Sequence, residues 1–318
     1  MIRRWWWMLL VGCLMVACHY PEPDYSGWNL TREQRDSLEF QAAHHYGINY
    51  NFKVLSDSLP LRQMLSPDSL WIYRDDVLVV ADYARMTSDT SHAIWIKVAR
   101  DQGTMGWIEE ERLLQHVVPV DPISRFIHWF SSLRTWFFLV TGGLFVLFYL
   151  YRRARRQAFR SIREQRIDSI YPVLLCCCVV VSAALYASMQ RFVPDTWEHY
   201  YFNPSLNPLG LPFLLALFIV SVWAIILVAL ALADDLFHQA DFSTGFFYLL
   251  GLGTLCMFLY LLVTWSVYYY VGYLMVGVFV YFSCIYLAHT CFSSYVCGHC
   301  GKRIASKGKC PHCGFDNE

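Results

Sequence analysis

Residues 246–292 read FFYLLGLGTLCMFLYLLVTWSVYYYVGYLMVGVFVYFSCIYLAHTCF, with no Asp, Glu, Lys or Arg in the whole run. As one helix it would be about 70 Å long at 1.5 Å per residue. A bilayer's hydrocarbon core is roughly 30 Å thick. The chain must therefore turn back inside the run, near Trp265-Ser266, and make two spans, 246–265 and 267–292. Working toward the N-terminus, three more apolar stretches reach spanning length: 209–233, 170–189 and 127–151. The last has its apolar centre from Thr135 to Tyr151, with Arg134 snorkelling outward. Hydrophobic residues make up 56% of the 318, so the fold class is a membrane protein with an α-helical transmembrane bundle.

Charge orients the bundle. The loop 152–169 carries Arg152, Arg153, Arg155, Arg156, Arg160, Arg163 and Arg166 against only Glu164 and Asp168. Under the positive-inside rule this basic loop is cytoplasmic. Residues 19–125 and 190–208 then lie outside, while 234–245 and the C-terminal tail lie inside. Cysteine usage agrees with that placement. The exported part, 19–122, has none, and four sit close together in the tail, on the reducing side. Cys176-Cys177-Cys178 reads as small apolar residues of a span. The formal net charge is zero, so bulk charge makes no case for nucleic acid.

The tail holds the sharpest chemical signal. Cys297-Gly-His-Cys300 and Cys310-Pro-His-Cys313 form a CxxC pair of pairs, each followed by glycine, at Gly301 and Gly314. Two thiolates two residues apart grip one face of a tetrahedral ion, and the second pair completes the shell. Four thiolates leave no open position, so one structural Zn is expected, with His299 and His312 as loop residues and not ligands. The stretch 295–318 resembles the small zinc ribbons at the ends of many bacterial proteins. A protein partner is expected there. Lys302, Arg303, Lys307 and Lys309 make too small a basic patch to suggest nucleic acid.

The opposite end reads as a targeting segment. Met1-Ile-Arg-Arg is a basic n-region and Trp5 to Val16 a short apolar stretch. Residues 1–18 close on Leu14-Met-Val-Ala-Cys18, which resembles a lipoprotein lipobox with Met15 in place of the usual Leu. That resemblance implies cleavage before Cys18 and its lipidation.

Between leader and bundle lies a soluble region. In 19–47, Asn29 or Thr31 can cap a helix that runs to about His44. The tandem His44-His45 is read as the helix end. Short alternating runs follow: Ile48 to Val54, Ser69 to Tyr73, Val77 to Tyr83, Ile94 to Val98 and Gly106 to Ile108. They suggest a small antiparallel barrel within 48–122, ending at Asp121-Pro122. Trp95-Ile-Lys97-Val, the turn at Asp101-Gln-Gly-Thr, Gly106-Trp107-Ile and Leu113-Leu114 resemble the end of bacterial SH3-like domains. Val54 to Arg62 is similar to that family's first strand, with Pro60 at a position usually apolar or small. The resemblance implies an SH3-like barrel whose ligand is peptidoglycan or a peptide, with Trp95, Lys97, Gly106 and Trp107 as signature residues that chiefly pack and turn.

Candidate catalytic groups are sparse. Asp234, Asp235, His238 and Asp241 cluster after the third span, with Asp234 and His238 four apart on one helical face. This reads as a solvated helix end. There is no nucleophile elbow, HExxH or phosphate loop, and no acidic pair within a span. The layout from leader to ribbon resembles a group of uncharacterised bacterial membrane proteins, which implies an inner-membrane architecture and no activity. The expectation is a non-enzymatic envelope sensor or scaffold. The alternative is a membrane enzyme or transporter using Asp234, Asp235, His238 and Asp241.

Overall fold

The computed structural model describes residues 18–21, 25, 28–63, 69–85, 93–132, 140, 142–144, 169–239, 242–292, 295–300, 303–304 and 308–317. The leader at 1–17, most of the centre of the expected first span, residues 152–168 of the basic loop and Asp241 fall outside them. The chain divides into two compact units, each assembled from separated stretches, and one of them joins 20–135 to 195–206.

The first unit opens with helix α1, Arg32–His44. Thr31 caps it: the Gln34 amide donates to Thr31 Oγ1 at 3.3 Å, and the Thr31 amide donates back to Gln34 Oε1 at 3.0 Å. The left-handed His45 (φ 63°) ends it, its amide donating to the Gln41 carbonyl. Six strands follow: β1 Asn51–Val54, β2 Ser58–Arg62, β3 Ser69–Tyr73, β4 Val77–Arg85, β5 Ile94–Ala99 and β6 Met105–Glu109. Then come helix α2 Glu110–His116, strand β7 Val117–Pro119 and helix α3 Pro122–Ser132. The strands form one curled antiparallel sheet in the order β3-β2-β6-β5-β4-β1-β7.

Alternation decides which side of each strand is buried. In β1 the buried residues are Phe52 and Val54, in β2 Leu59 and Leu61, in β4 Leu78 and Val80, and in β5 Ile96 and Val98, with Trp95 of β5 buried as well. Phe40 of α1 closes one side of this core, stacking on Tyr83 with ring centroids 3.9 Å apart. Leu113 plugs the core from helix α2. The strand expected from Ile48 begins at Asn51, because the left-handed Asn49 (φ 68°) turns the chain first.

The second unit contains the long apolar helices. These are α4 Tyr171–Phe192, α6 Phe213–Gln239, α7 Phe242–Tyr268 and α8 Val271–Phe292. All four are long and apolar enough to cross a membrane. With the curled sheet and a terminal four-cysteine cluster, they make the chain a multi-domain membrane protein. Leu175 and Cys176 of α4 pack with Leu232 of α6 and Cys256 of α7. Val180, Ala183 and Ala184 pack against Val263 and Val267 of α7, with Tyr273 and Phe279 of α8 alongside. The α7–α8 turn falls at Tyr269-Tyr270, a few residues past the expected Trp265-Ser266. A Cβ on Gly272 would run into the backbone of Ser266 and Val267, so the close approach there requires glycine. Arg191, at the end of α4, holds the turn: its guanidinium donates to the Tyr268 carbonyl at 2.6 Å and lies 4.1 Å from the Tyr270 ring centroid.

Between α4 and α6 the chain forms helix α5, Pro194–Phe202, where only a loop was expected. Residues 195–206 belong to the sheet unit. Phe202 is part of the sheet's buried core. The Tyr50 hydroxyl donates to the Phe202 carbonyl, Ser124 Oγ to the Tyr201 carbonyl at 2.6 Å, and the Asn203 side-chain amide to the His45 carbonyl at 2.8 Å. A segment held between two apolar helices thus completes a domain through bonds to residues 77 to 158 positions earlier.

Candidate metal centre

After α8 the chain makes two minimal hairpins. Strand β8 Tyr295–Val296 pairs with β9 Arg303–Ile304, and β10 Gly308–Lys309 pairs with β11 Asp316–Asn317. Each hairpin carries one CxxC at its turn. The second knuckle closes as Gly314 (φ 73°) donates its amide to the Cys310 carbonyl at 2.8 Å, a left-handed turn suited to glycine.

The four sulfurs of Cys297, Cys300, Cys310 and Cys313 all lie within 4.8 Å of one another. Cys297 Sγ is 3.6 Å from Cys313 Sγ, and Cys300 Sγ is 3.7 Å from Cys310 Sγ. A disulfide would bring two sulfurs to about 2.05 Å. A tetrahedron of thiolates around zinc, with bonds of about 2.3 Å, has edges of about 3.8 Å. The observed separations are those of ligands around one ion. Cys297 and Cys310 are buried at the centre.

The knuckles also supply the electrostatics. The Cys300 amide leads the contacts that lower the Cys297 thiol to about 6, and the His299 amide and Asn317 side chain act in the same direction. At Cys310, desolvation opposes ionisation, but the amides of His312 and Cys313 outweigh it and the thiol is lowered. At Cys313 the Phe315 amide favours the thiolate, yet desolvation and the three neighbouring sulfurs prevail and push it up to about 12. Thiols this close compete for negative charge, and a divalent cation at their centre would relieve the competition.

Asn317 is a residue the motif does not reveal. Its side-chain oxygen accepts the Gly298 amide at 2.8 Å, and its side-chain nitrogen reaches Cys297 Sγ at 3.4 Å. It thereby ties the last strand to the first knuckle. Its only sequence signal is its place four residues after Cys313. His299 stacks on Phe315 at 5.3 Å, and the metal-competent cluster contains cysteines alone.

The other candidate residues sit apart from this centre. Trp95 is buried on β5, with the Arg62 guanidinium 5.3 Å from its ring centroid. Lys97 faces Trp107 across β5 and β6. A Cβ on Gly106 would lie 2.7 Å from the Leu61 Cβ, so glycine lets β6 close onto β2. All four signature residues lie on the neighbouring strands β5 and β6. Cys18 lies in a turn at the start of the described residues. At the end of α6, His238 Nδ1 is 3.5 Å from Asp234 Oδ1, with both side chains more than three-quarters exposed. Asp235 accepts from the Gln239 side chain at 2.6 Å. These contacts describe a solvated helix end.

His44 and His45 diverge, as neighbours on a helix end must. His44 Nδ1 lies 2.7 Å from Glu110 Oε1, the same carboxylate that accepts the Tyr46 hydroxyl. Burial first, and then Glu110, raise the Tyr46 hydroxyl far above its usual pKa. His45 faces His199 of α5, Nδ1 to Nδ1 at 3.3 Å, and the Tyr20 ring lies tilted against His199 with centroids 4.0 Å apart. Burial, reinforced by His45, holds His199 below its usual value. No protein family, curated protein or solved structure matches this chain, so its function is read from geometry alone.

Proposed function

We propose that the chain is a non-enzymatic sensor or scaffold of the bacterial inner membrane, coupling an exported SH3-like sheet domain to a cytosolic zinc ribbon. One observation carries this reading: α5, between apolar helices α4 and α6, places Phe202 in the core of the sheet domain. A peptide or peptidoglycan strand that shifted the sheet would pull on the ends of two spans. The module is built into the bundle's connections instead of hanging from a tether.

The count of crossings supports the sidedness. The α4–α6 connection belongs to the sheet unit, so both share one side of the membrane. Helix α4 then starts on the other side. The chain must cross once between residues 132 and 169, where the sequence carries the 135–151 apolar run. Helices α6, α7 and α8 make three further crossings, leaving the ribbon on the side of the seven arginines, which the positive-inside rule makes cytoplasmic. A lipidated Cys18 would add a second anchor beside the sheet domain. The ribbon, with one structural zinc, would dock a cytosolic protein.

Complementation of a deletion strain under envelope stress separates this reading from the alternative. Cys310→Ser and Phe202→Ala should fail to restore growth, while Asp234→Ala and His238→Ala should restore it fully at normal protein levels. The opposite pattern would move the function to an enzyme or transporter at the end of α6. Sidedness is checked by labelling: a cysteine at Arg156 should resist an impermeant reagent in intact cells, and one at Ser88 should react once the outer barrier is opened.

A further inference from the structure

Helix α3 does two unlike things with its two faces. At 100° per residue, Phe126, Trp129 and Phe130 fall on one stripe, and Ser124 lies on the other side. Ser124 is fully buried and donates to the Tyr201 carbonyl of α5 at 2.6 Å. Phe126 and Trp129 are 59% and 51% exposed, and the Phe126 ring lies 6.1 Å from both the Trp129 and Phe130 rings. A water-soluble domain seldom leaves adjacent large aromatics in solvent.

We propose that this aromatic stripe of α3 is a lipid-docking surface that seats the sheet domain on the headgroup–acyl boundary of the membrane crossed by the apolar helices. Chain continuity names the occupant. Helix α3 ends at Ser132, three residues before the apolar run 135–151. Its hydrogen-bonded neighbour α5 begins at Pro194, two residues after α4 ends at Phe192. Both helices of this contact are thus leashed within a few residues of a spanning segment, so the membrane boundary lies within their reach. The chemistry fits that boundary. The Trp129 indole suits the interface, where its apolar body is buried and its N–H stays hydrated, and the phenyl rings beside it add apolar surface. Residues 122–132 contain no carboxylate, and exposed Arg125 flanks the stripe, suited to phosphate headgroups. A second copy of the chain is a poorer occupant. A stable dimer buries about 800 Å² on each partner, far more than three rings on a helix about 16 Å long can offer.

The test uses the full-length protein in nanodiscs of phosphatidylethanolamine and phosphatidylglycerol. A photoreactive benzoyl-phenylalanine replaces Phe126 or Trp129, and a control protein carries it at Trp71, which is 52% exposed on β3. After irradiation, mass spectrometry of peptides spanning residues 126 and 129 should show a shift of one phospholipid, and the peptide spanning 71 should show none. Lipid captured at all three sites, at neither 126 nor 129, or replaced there by a second protein chain, overturns the proposal. Every variant keeps Ser124 and its bond to Tyr201, and a wild-type thermal unfolding profile for each variant makes a missing adduct report on the surface itself. The outcome is independent of whether the domain senses anything.

Discussion

The sheet domain and the terminal ribbon are both small β structures, yet they are held by opposite means. The sheet closes around more than a dozen buried apolar side chains, drawn from seven strands, helices α1 and α2 and the distant helix α5. Among its described residues the ribbon buries little besides Cys297 and Cys310. About two dozen residues cannot enclose enough apolar surface to offset the entropy of ordering them. Its four clustered cysteines could hold a metal ion where a core would be. About a hundred residues can build a core, but here it is completed by Phe202 from between two apolar helices. The ribbon would draw its stability from a bound ion, while the sheet domain draws it from buried side chains.

The difference is broken most severely by taking one ligand. Cys310→Ser should reduce bound zinc from one ion per chain to nearly none, because apparent metal binding of about 10–16 kcal/mol is the ribbon's folding energy. Elemental analysis and hydrogen exchange on the full-length protein check this. Ribbon amides should lose protection while β4 and β5 keep theirs. Loss of protection in both regions would mean that the two do not hold independently.

Phe202→Ala strikes the other region. Deleting a buried phenyl typically costs about 3–5 kcal/mol. Exchange protection of β1 and β4 should fall accordingly, although residue 202 lies beyond the first pair of expected spans, and zinc content should stay at one. Unchanged protection would show that the sheet closes without α5.

Asn317→Ala sharpens the comparison within the ribbon. Partners of the ligands typically contribute 10–100-fold to metal affinity. A competitive chelator titration should find about that loss, with stoichiometry unchanged. An unaltered affinity would leave the Cys297 contact without consequence.

The smallest effect expected is on acidification. Burial and His45 hold His199 below its ordinary pKa. The unfolded chain therefore takes up a proton near pH 6.5 that the folded pair resists. Stability of the sheet unit should be complete above that pH and should decline as pH falls through it toward the lower folded value. His199→Gln should flatten this part of the profile, read by thermal unfolding between pH 7 and about 5. A wild-type profile already flat there would remove the histidine pair from the account. The ribbon loses zinc over the same descent for a different reason, since protons compete with the metal for the thiolates.

Legibility followed the range of the interaction. The capping box at Thr31, the alternation in β4 and β5, and the knuckle spacing each depend on residues within about ten positions. The α7–α8 turn was harder. The run from 246 to 292 has no charged break, and the weak polarity at Trp265-Ser266 pointed a few residues early. Packing placed it instead, through Gly272 and the Arg191 contact with the Tyr268 carbonyl. Helix α2 was not assigned from the sequence, because its seven residues are too few to show a helical period.

By itself, the sequence determined the membrane class and the four-thiolate site. Apolar length and ligand spacing are local quantities, and each admits few physical solutions. Only tertiary structure decided that Phe202 belongs to the sheet core, that Asn317 braces Cys297, and that α3 turns Phe126 and Trp129 outward. Those contacts join residues far apart in the chain or depend on which face a neighbour covers, and no short-range pattern encodes either.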